Sequence, residues 1–168
     1  AAAPRLRIVA RTGIGLDNVD LAAARRRGIV VTYTPDAPAP AVSELTIRHM
    51  LDALRSATRA DQDLRAGQWR RHVGRRLEEL TVGIIGVGRV GRRVLRHLQG
   101  FGPPRILLND LVEDPRVAGG IWTDKETIYR EADVITLHLP RTRRTRGLIG
   151  ERELGLFKPR AVLVNTAR

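Results

Sequence analysis

Apolar residues along this chain follow two rhythms. Short runs at residues 6–10, 29–33, 82–85, 106–110, 133–138 and 161–165 read as strands, with a shorter one near 120–122. The first of these alternates, whereas Val82, Ile84 and Ile85 belong to a run of the kind found in parallel strands covered on both faces. Between the strands, apolar residues recur at helical spacing. Val19, Leu21, Ala22 and Ala23 predict a short helix capped by Asp17 or Asn18 and stopped by Gly28. Val42, Leu45, Ile47, Met50, Leu51 and Leu54 predict a long helix that continues to Leu64, and Val94, Leu95 and Leu98 predict another. Residues 125–131 and 151–157 complete the helices, with a loop or short helix at 142–150. Strands alternating with helices predict an α/β fold built on a doubly wound parallel sheet.

Punctuation divides this pattern. Residues 34–40 hold three prolines, which predicts a stiff non-helical connector and a domain boundary. Residues 65–69 break the long helix, and the polar stretch to Arg76 carries Trp69, a large apolar group that reads as a packing anchor or a subunit contact.

The most informative stretch is residues 80–92, a buried strand, a glycine turn and the start of a helix. The turn is Gly86-x-Gly88-x-x-Gly91. Gly86 lets the chain reverse, Gly88 lets a diphosphate approach bare backbone, and Gly91 lets the helix lie close to the strand. The helix amides favour an anion over the turn. The next strand ends in Asp110, 19 residues after Gly91, where a carboxylate hydrogen-bonds the ribose hydroxyls of NAD and repels the 2′-phosphate of NADP. The carboxyl ends of the strands, at 86–89, 110, 138–140 and 166–168, are expected to face one crevice.

Composition narrows the function classes. Hydrophobic residues make up 42% of the 168, enough for a folded core. No cysteine is present, which removes disulfides and thiolate chemistry and suits a reducing cytoplasm. No apolar run reaches the ~20 residues of a membrane span, and the first residues do not form a signal peptide. The formal charge is +12, and only Lys125 and Lys158 among the 30 basic residues are lysine. Nucleic-acid binding is weighed on that charge and set last, because aromatics are 4% and the arginine clusters are scattered over several elements. A solvated arginine-rich surface is the expected reading.

Together residues 11–20, 41–46, 83–91, 132–140, 145–149 and 163–168 resemble, in order, the D-isomer-specific 2-hydroxyacid dehydrogenases, nearest the D-3-phosphoglycerate dehydrogenase type. The resemblance implies a Rossmann-type NAD domain at 80–168, a crossover helix and arm at 41–79, and the end of a smaller α/β substrate domain at 1–40. It implies that Arg89, Val90, Asp110, His138, Leu139, Pro140, Thr166 and Ala167 lie at the NAD site, approached by Ile14 from the other domain. The loop of Thr12, Gly13 and Ile14 would hold the substrate carboxylate, with Arg11 beside it. Arg168 matches the catalytic arginine, which also borders the cofactor. A guanidinium there would grip the substrate carboxylate in two prongs and polarise the keto oxygen, which lysine does not reproduce.

The resemblance therefore implies NAD-dependent hydride transfer between NAD(H) and a small D-2-hydroxy or 2-oxo acid, with a homodimeric parent whose contact includes residues 41–76. The family's acid-base histidine and its glutamate lie beyond Arg168, so the chain reads as a fragment lacking both ends and without turnover of its own. His138 is not that histidine. His49, His72 and His97 read as structural or solvated, with no evident carboxylate partner. Pro38 stands where phosphoglycerate-type members often carry asparagine. The alternative is an NAD-binding co-repressor-like module of the same fold. No metal site is expected.

Overall fold

The computed structural model describes residues 3–102 and 104–167, and the chain divides into two compact units, Ala1–Ala41 and Val42–Arg168. In the first unit, strands β1 (Ile8–Arg11) and β2 (Val30–Tyr33) pair in parallel, Ile8 opposite Val30 and Arg11 opposite Tyr33. Helix α1 (Leu21–Arg26) connects them. Its cap is Asp20, whose Oδ1 accepts from the Ala23 amide at 2.8 Å, rather than Asp17 or Asn18. Of the three polar residues on offer, the one directly before the apolar helical run wins, and Val19 is left in the preceding turn.

The prolines do not keep residues 34–40 wholly out of helix. Helix α2 (Ala39–Arg55) starts at Ala39 and takes Pro40 into its first turn. A helix tolerates proline there because the missing N–H would have had no partner within the helix. The long helix predicted to reach Leu64 is two helices, α2 and α3 (Ala57–Arg65), broken at Ser56 with φ of +54°. The carboxylate of Asp52 accepts from both the amide and the hydroxyl of Thr58, so it caps α3 from the turn before. Such side-chain bonds to nearby backbone compete with helix continuation.

After α3 the arm is irregular, as its polarity predicts. His72 does have a carboxylate partner, contrary to expectation: its Nε2 lies 2.8 Å from Asp63 Oδ2, which fastens the arm to α3. Trp69 is 89% exposed and anchors nothing within the described residues.

The second unit is a five-stranded parallel sheet in the order β5-β4-β3-β6-β7. Its strands are β3 (Thr81–Ile85), β4 (Arg105–Asn109), β5 (Ile121–Trp122), β6 (Val134–Leu137) and β7 (Val162–Asn165). Successive side chains on a strand point to opposite faces, and this separates two cores. Val82, Ile84, Ile106, Leu108 and Val134 meet Met50 and Leu54 of α2 and Val94, Leu95 and Leu98 of α4 (Arg89–Gln99). Leu107, Ile135 and Ile85 meet Ile128, Tyr129 and Ala132 at α5 (Lys125–Glu131) on the other face. Leu156 and Phe157, which follow the short helix α6 (Glu151–Leu154), pack against the same cluster. Helices on both faces of a parallel sheet are the predicted doubly wound architecture. Among the described residues, no helix is long and apolar enough to cross a membrane.

The sheet's first strand carries Gly83 among its apolar residues because α5 lies almost on the backbone. A Cβ at residue 83 would stand 2.3 Å from Ile128 Cγ2. Gly83→Ala should therefore destabilise this unit by roughly 1–3 kcal/mol through overpacking. In the Ile128→Ala background the same change should cost much less. Urea unfolding of the four proteins of this cycle checks the coupling; additive effects would show that α5 moves away at no cost.

Candidate functional site

The register of the sheet places the candidate residues in one line. Ile85 is level with Asn109 on one side and Leu137 on the other, and Leu137 is level with Asn165. Asp110, Gly86, His138 and Thr166 therefore leave the sheet side by side, in that spatial order. Hydrogen bonds continue the row: the Gly86 amide donates to Asn109 O and the His138 amide to Ile85 O, each at 2.8 Å. From β3 the chain moves outward one way to β4 and β5 and the other way to β6 and β7. The gap between β3 and β6 is thus the topological switch point, where such sheets bind ligands.

The three glycines of the turn have different surroundings. Gly86 has φ of +96°, and a Cβ there would lie 2.6 Å from the His138 carbonyl oxygen. At Gly91 a Cβ would lie 2.1 Å from the carbonyl oxygen of Gly86, so the first turn of α4 rests on the turn before it. Gly88 is exposed, and a Cβ there meets nothing within 4 Å. The first two glycines let backbone touch backbone; the third leaves open space before the helix amides. Arg89 is exposed and Val90 half-buried in that same first turn of α4. The helix dipole makes this corner favourable for negative charge.

Asp110 borders the open space. Its Oδ2 accepts from the Val87 amide at 2.7 Å and its Oδ1 from the Leu111 amide at 2.7 Å. A carboxylate oxygen has two lone pairs, so each keeps acceptor capacity for a hydroxyl.

On the other side of the switch point, Leu139 is half-buried and Pro140 exposed. His138 is half-buried, with Nε2 3.0 Å from Thr136 Oγ1. Burial pushes its pKa down to about 4, so the ring is neutral at pH 7. Thr166 and Ala167 follow β7, and the Ala167 amide donates to Asn165 Oδ1 at 3.0 Å. Arg168, expected to be catalytic, lies outside the described residues.

The candidates near the start of the chain belong to the first unit. The amide of Gly13 donates to Thr34 Oγ1 at 2.7 Å, and Gly13 O accepts from the Thr34 amide at 3.2 Å, which ties their loop to the end of β2. Arg11 folds back on its own loop: Nε donates to Gly15 O at 3.2 Å and Nη1 to Thr12 O at 2.6 Å. Its guanidinium is thus engaged by backbone carbonyls, and Ile14 is 51% exposed.

Several residues near the crevice escaped the sequence reading. The hydroxyl of Thr46, fully buried on α2, donates to Val42 O at 2.8 Å and lies 2.8 Å from Thr166 Oγ1. With its proton on the carbonyl, Thr46 accepts from Thr166, whose oxygen then offers lone pairs. Leu111 and Val112 are 84% and 79% exposed directly after Asp110. Two apolar residues after a strand-ending acid were a visible signal for an apolar contact beside a ribose. Arg92 and Asp114 form an ion pair across the turn, which no local spacing announces.

Comparison with known proteins adds an independent observation. The family model described as D-isomer specific 2-hydroxyacid dehydrogenase, NAD binding domain, matches residues 47–168. A glyoxylate reductase of Thermococcus litoralis is 36% identical over 99% of this chain and 54% of its own length. A D-3-phosphoglycerate dehydrogenase of Methanocaldococcus jannaschii is 36% identical over 99% of this chain and 33% of its own. Among solved structures, the D-lactate dehydrogenase of Aquifex aeolicus complexed with NAD and lactic acid superposes with a TM-score of 0.87 at 32% identity, covering 98% of this chain and 51% of that one. The chain spans about half the length of the glyoxylate reductases it matches and a third of the phosphoglycerate dehydrogenases.

Two outcomes follow from the geometry. Gly91→Ala should lower stability by roughly 1–3 kcal/mol, because its Cβ meets the carbonyl oxygen of Gly86, a residue whose amide is bonded to the end of β4. Gly88→Ala, entering open space, should unfold within about 0.5 kcal/mol of the unmutated chain. Equal losses in urea unfolding would contradict this difference. The depressed pKa of His138 gives the second. The unfolded chain binds a proton near pH 6.5 and the folded one only near 4, so this contribution is complete above 6.5. It falls as the pH drops from 6.5 towards 4, by up to about 3 kcal/mol and less for partial exposure. Unfolding curves across that window should be flatter for His138→Gln; parallel curves would remove His138 as a cause.

Proposed function

We propose, for a chain that belongs to the D-isomer-specific 2-hydroxyacid dehydrogenases, that the crevice above Gly86, Gly88 and Gly91 holds NAD(H) and that the protein serves hydride transfer between NAD(H) and a small D-2-hydroxy acid or its 2-oxo acid. One observation carries the cofactor half of this reading. Open backbone at Gly88 stands between a helix N-terminus, suited to a diphosphate, and a strand-ending carboxylate, suited to ribose hydroxyls. The residues present therefore fit the group.

Each part has a stated role. The amides at the start of α4 stabilise the diphosphate charge, with Arg89 and Val90 at the same turn. Asp110 accepts from the ribose and disfavours a 2′-phosphate. His138, Leu139, Pro140, Thr166 and Ala167 border the other half of the crevice, with the oxygen of Thr166 presented as an acceptor. Neutral His138 adds no charge there. When bound, the nicotinamide supplies the hydride-accepting and hydride-donating carbon. Arg168 grips the substrate carboxylate and polarises the 2-oxo group. Arg11, Thr12, Gly13 and Ile14 form the substrate loop. Its Gly13 amide is engaged by Thr34 Oγ1, so a carboxylate would draw on the loop's other amides, while release of Arg11 from the carbonyls of Thr12 and Gly15 would free its guanidinium for a phosphorylated substrate.

Glyoxylate, phosphoglycerate and lactate enzymes all appear among the relatives, and this reading stays at the class of short 2-hydroxy acids. A homodimeric parent and a cytoplasmic setting complete the proposal. The co-repressor-like alternative draws no support from these relatives.

Titration of this chain with NADH and with NADPH, followed by fluorescence, tests the cofactor assignment. NADH should bind at least ~10-fold more tightly than NADPH, a difference of about 1.4 kcal/mol. Asp110→Ala should weaken NADH and narrow the gap. Gly88→Ala should weaken both cofactors. Tighter binding of NADPH by the unmutated chain would overturn the assignment.

A further inference from the structure

We propose that Asp114 sets which dinucleotide the crevice accepts, by occupying Nη2 of Arg92 and the Nε/Nη2 edge of Arg116, so that these donors are not offered to a phosphate on the adenosine ribose. This inference rests on the NAD reading above. Asp114 lies on the loop that follows β4. Its Oδ2 receives Arg92 Nη2 at 2.7 Å and Arg116 Nη2 at 2.9 Å. Its Oδ1 receives Arg116 Nε at 2.9 Å and the Arg116 amide at 3.0 Å. The hydrogen bonds from Arg116 first, then from Arg92, hold its carboxyl well below the usual carboxylate range, so it stays charged at any working pH.

The location ties this cluster to the ribose end of the crevice. Arg92 Nε donates to the carbonyl oxygen of Val87 at 3.0 Å. The amide of the same residue donates to Asp110 at 2.7 Å. A single residue of the glycine turn thus separates the carboxylate that accepts from ribose from a guanidinium of α4. The Asp114 side chain is 14% exposed, whereas those of Arg92 and Arg116 are 43% and 85% exposed. The acid lies beneath its two bases.

Two guanidinium groups converging on one site are the donor set that recognises a phosphate monoester. Here the Nε/Nη2 edge of each is already taken, by the Asp114 carboxylate for Arg116 and by Asp114 with the Val87 carbonyl for Arg92. The charges of Arg92 and Arg116 are balanced by those of Asp110 and Asp114, so these four groups together give a phosphate no net attraction, and a two-pronged grip through the Nε/Nη2 edge of Arg116 requires Asp114 to give way. With Asp114 neutral, the balance becomes one unit positive and several N–H donors lose their acceptor. Asp110 and Asp114 then act differently: the first offers acceptors to hydroxyls, and the second withholds donors from phosphate.

Asp114→Asn tests this with little disturbance, because the amide oxygen can still accept from the Arg116 backbone and keep the turn. NADH and NADPH are titrated against the unmutated chain, Asp114→Asn, and Asp114→Asn combined with Arg92→Gln and Arg116→Gln, with thermal melting of each. NADPH should tighten about tenfold in Asp114→Asn, with NADH changing by less than about threefold. The gain should vanish in the triple variant and shrink with added salt. Asp114→Ser, which also offers an oxygen to the Arg116 amide, should reproduce the gain if the asparagine variant melts early. An unchanged NADPH to NADH ratio in variants that still bind NADH overturns this inference and leaves the NAD reading intact. A gain that survives loss of both arginines overturns it as well. An unmutated chain that binds neither dinucleotide overturns both readings.

Discussion

The geometry of the crevice rests on backbone lying against backbone at the start of α4. The carbonyl oxygen of Gly86 occupies the place where residue 91 would carry a Cβ, and residue 86 in turn lies against the carbonyl of His138. These contacts join three things at once: the end of β3, the first turn of α4 and the segment leaving β6. Any side chain at 86 or 91 would separate them. The helix amides could then no longer stand level with the carboxyl ends of the strands. Gly83 repeats the logic on the opposite face, where α5 comes equally close to β3. The central strand is thus pinned between two helices by glycines facing opposite ways, and the remaining strands align to it by register.

That register makes a site out of residues far apart in sequence. Parallel strands of similar length, level at Ile85, Asn109, Leu137 and Asn165, release their next residues along a single edge. The two apolar cores fix which faces the helices cover, so the edge between them is left for polar groups. Asp110, His138 and Thr166 each satisfy part of their hydrogen-bonding capacity internally, to Val87, Thr136 and Thr46. Internal partners hold these side chains in place before any ligand arrives, which lowers the ordering cost of binding.

Much of this was legible because it depends on local pattern. Continuous apolar runs marked the strands, helical spacing marked α4 and α5, and the glycine turn with Asp110 marked the crevice. What escaped depended on side chains acting beyond their own element. The split at Ser56 arises from the carboxylate of Asp52, four positions earlier in an unbroken helical pattern. The start of α2 at Ala39 was hidden because Pro40 stands in the first turn, where a missing amide costs the helix nothing. His72 found Asp63 across nine residues of irregular chain, and Thr46 found Thr166 across 120. Spacing cannot reveal a bond whose partners are brought together only by the completed sheet.

Charge behaves in the same way. The net charge of +12 said little about any one place, because the arginines are disposed differently from one another. Arg65, Arg105 and Arg130 pair with acids on exposed surface, where such contacts contribute little. Arg92 and Arg116 share one carboxylate beside the glycine turn. With only 18 acidic residues against 30 basic ones, at least twelve basic groups cannot have an acid to themselves. Attraction for a phosphorylated ligand is therefore easily come by in this chain, and selectivity is the harder property to build. It requires acids at the few points where a guanidinium borders the ribose. Asp110 and Asp114, on either side of Val87 and its glycine turn, occupy those points.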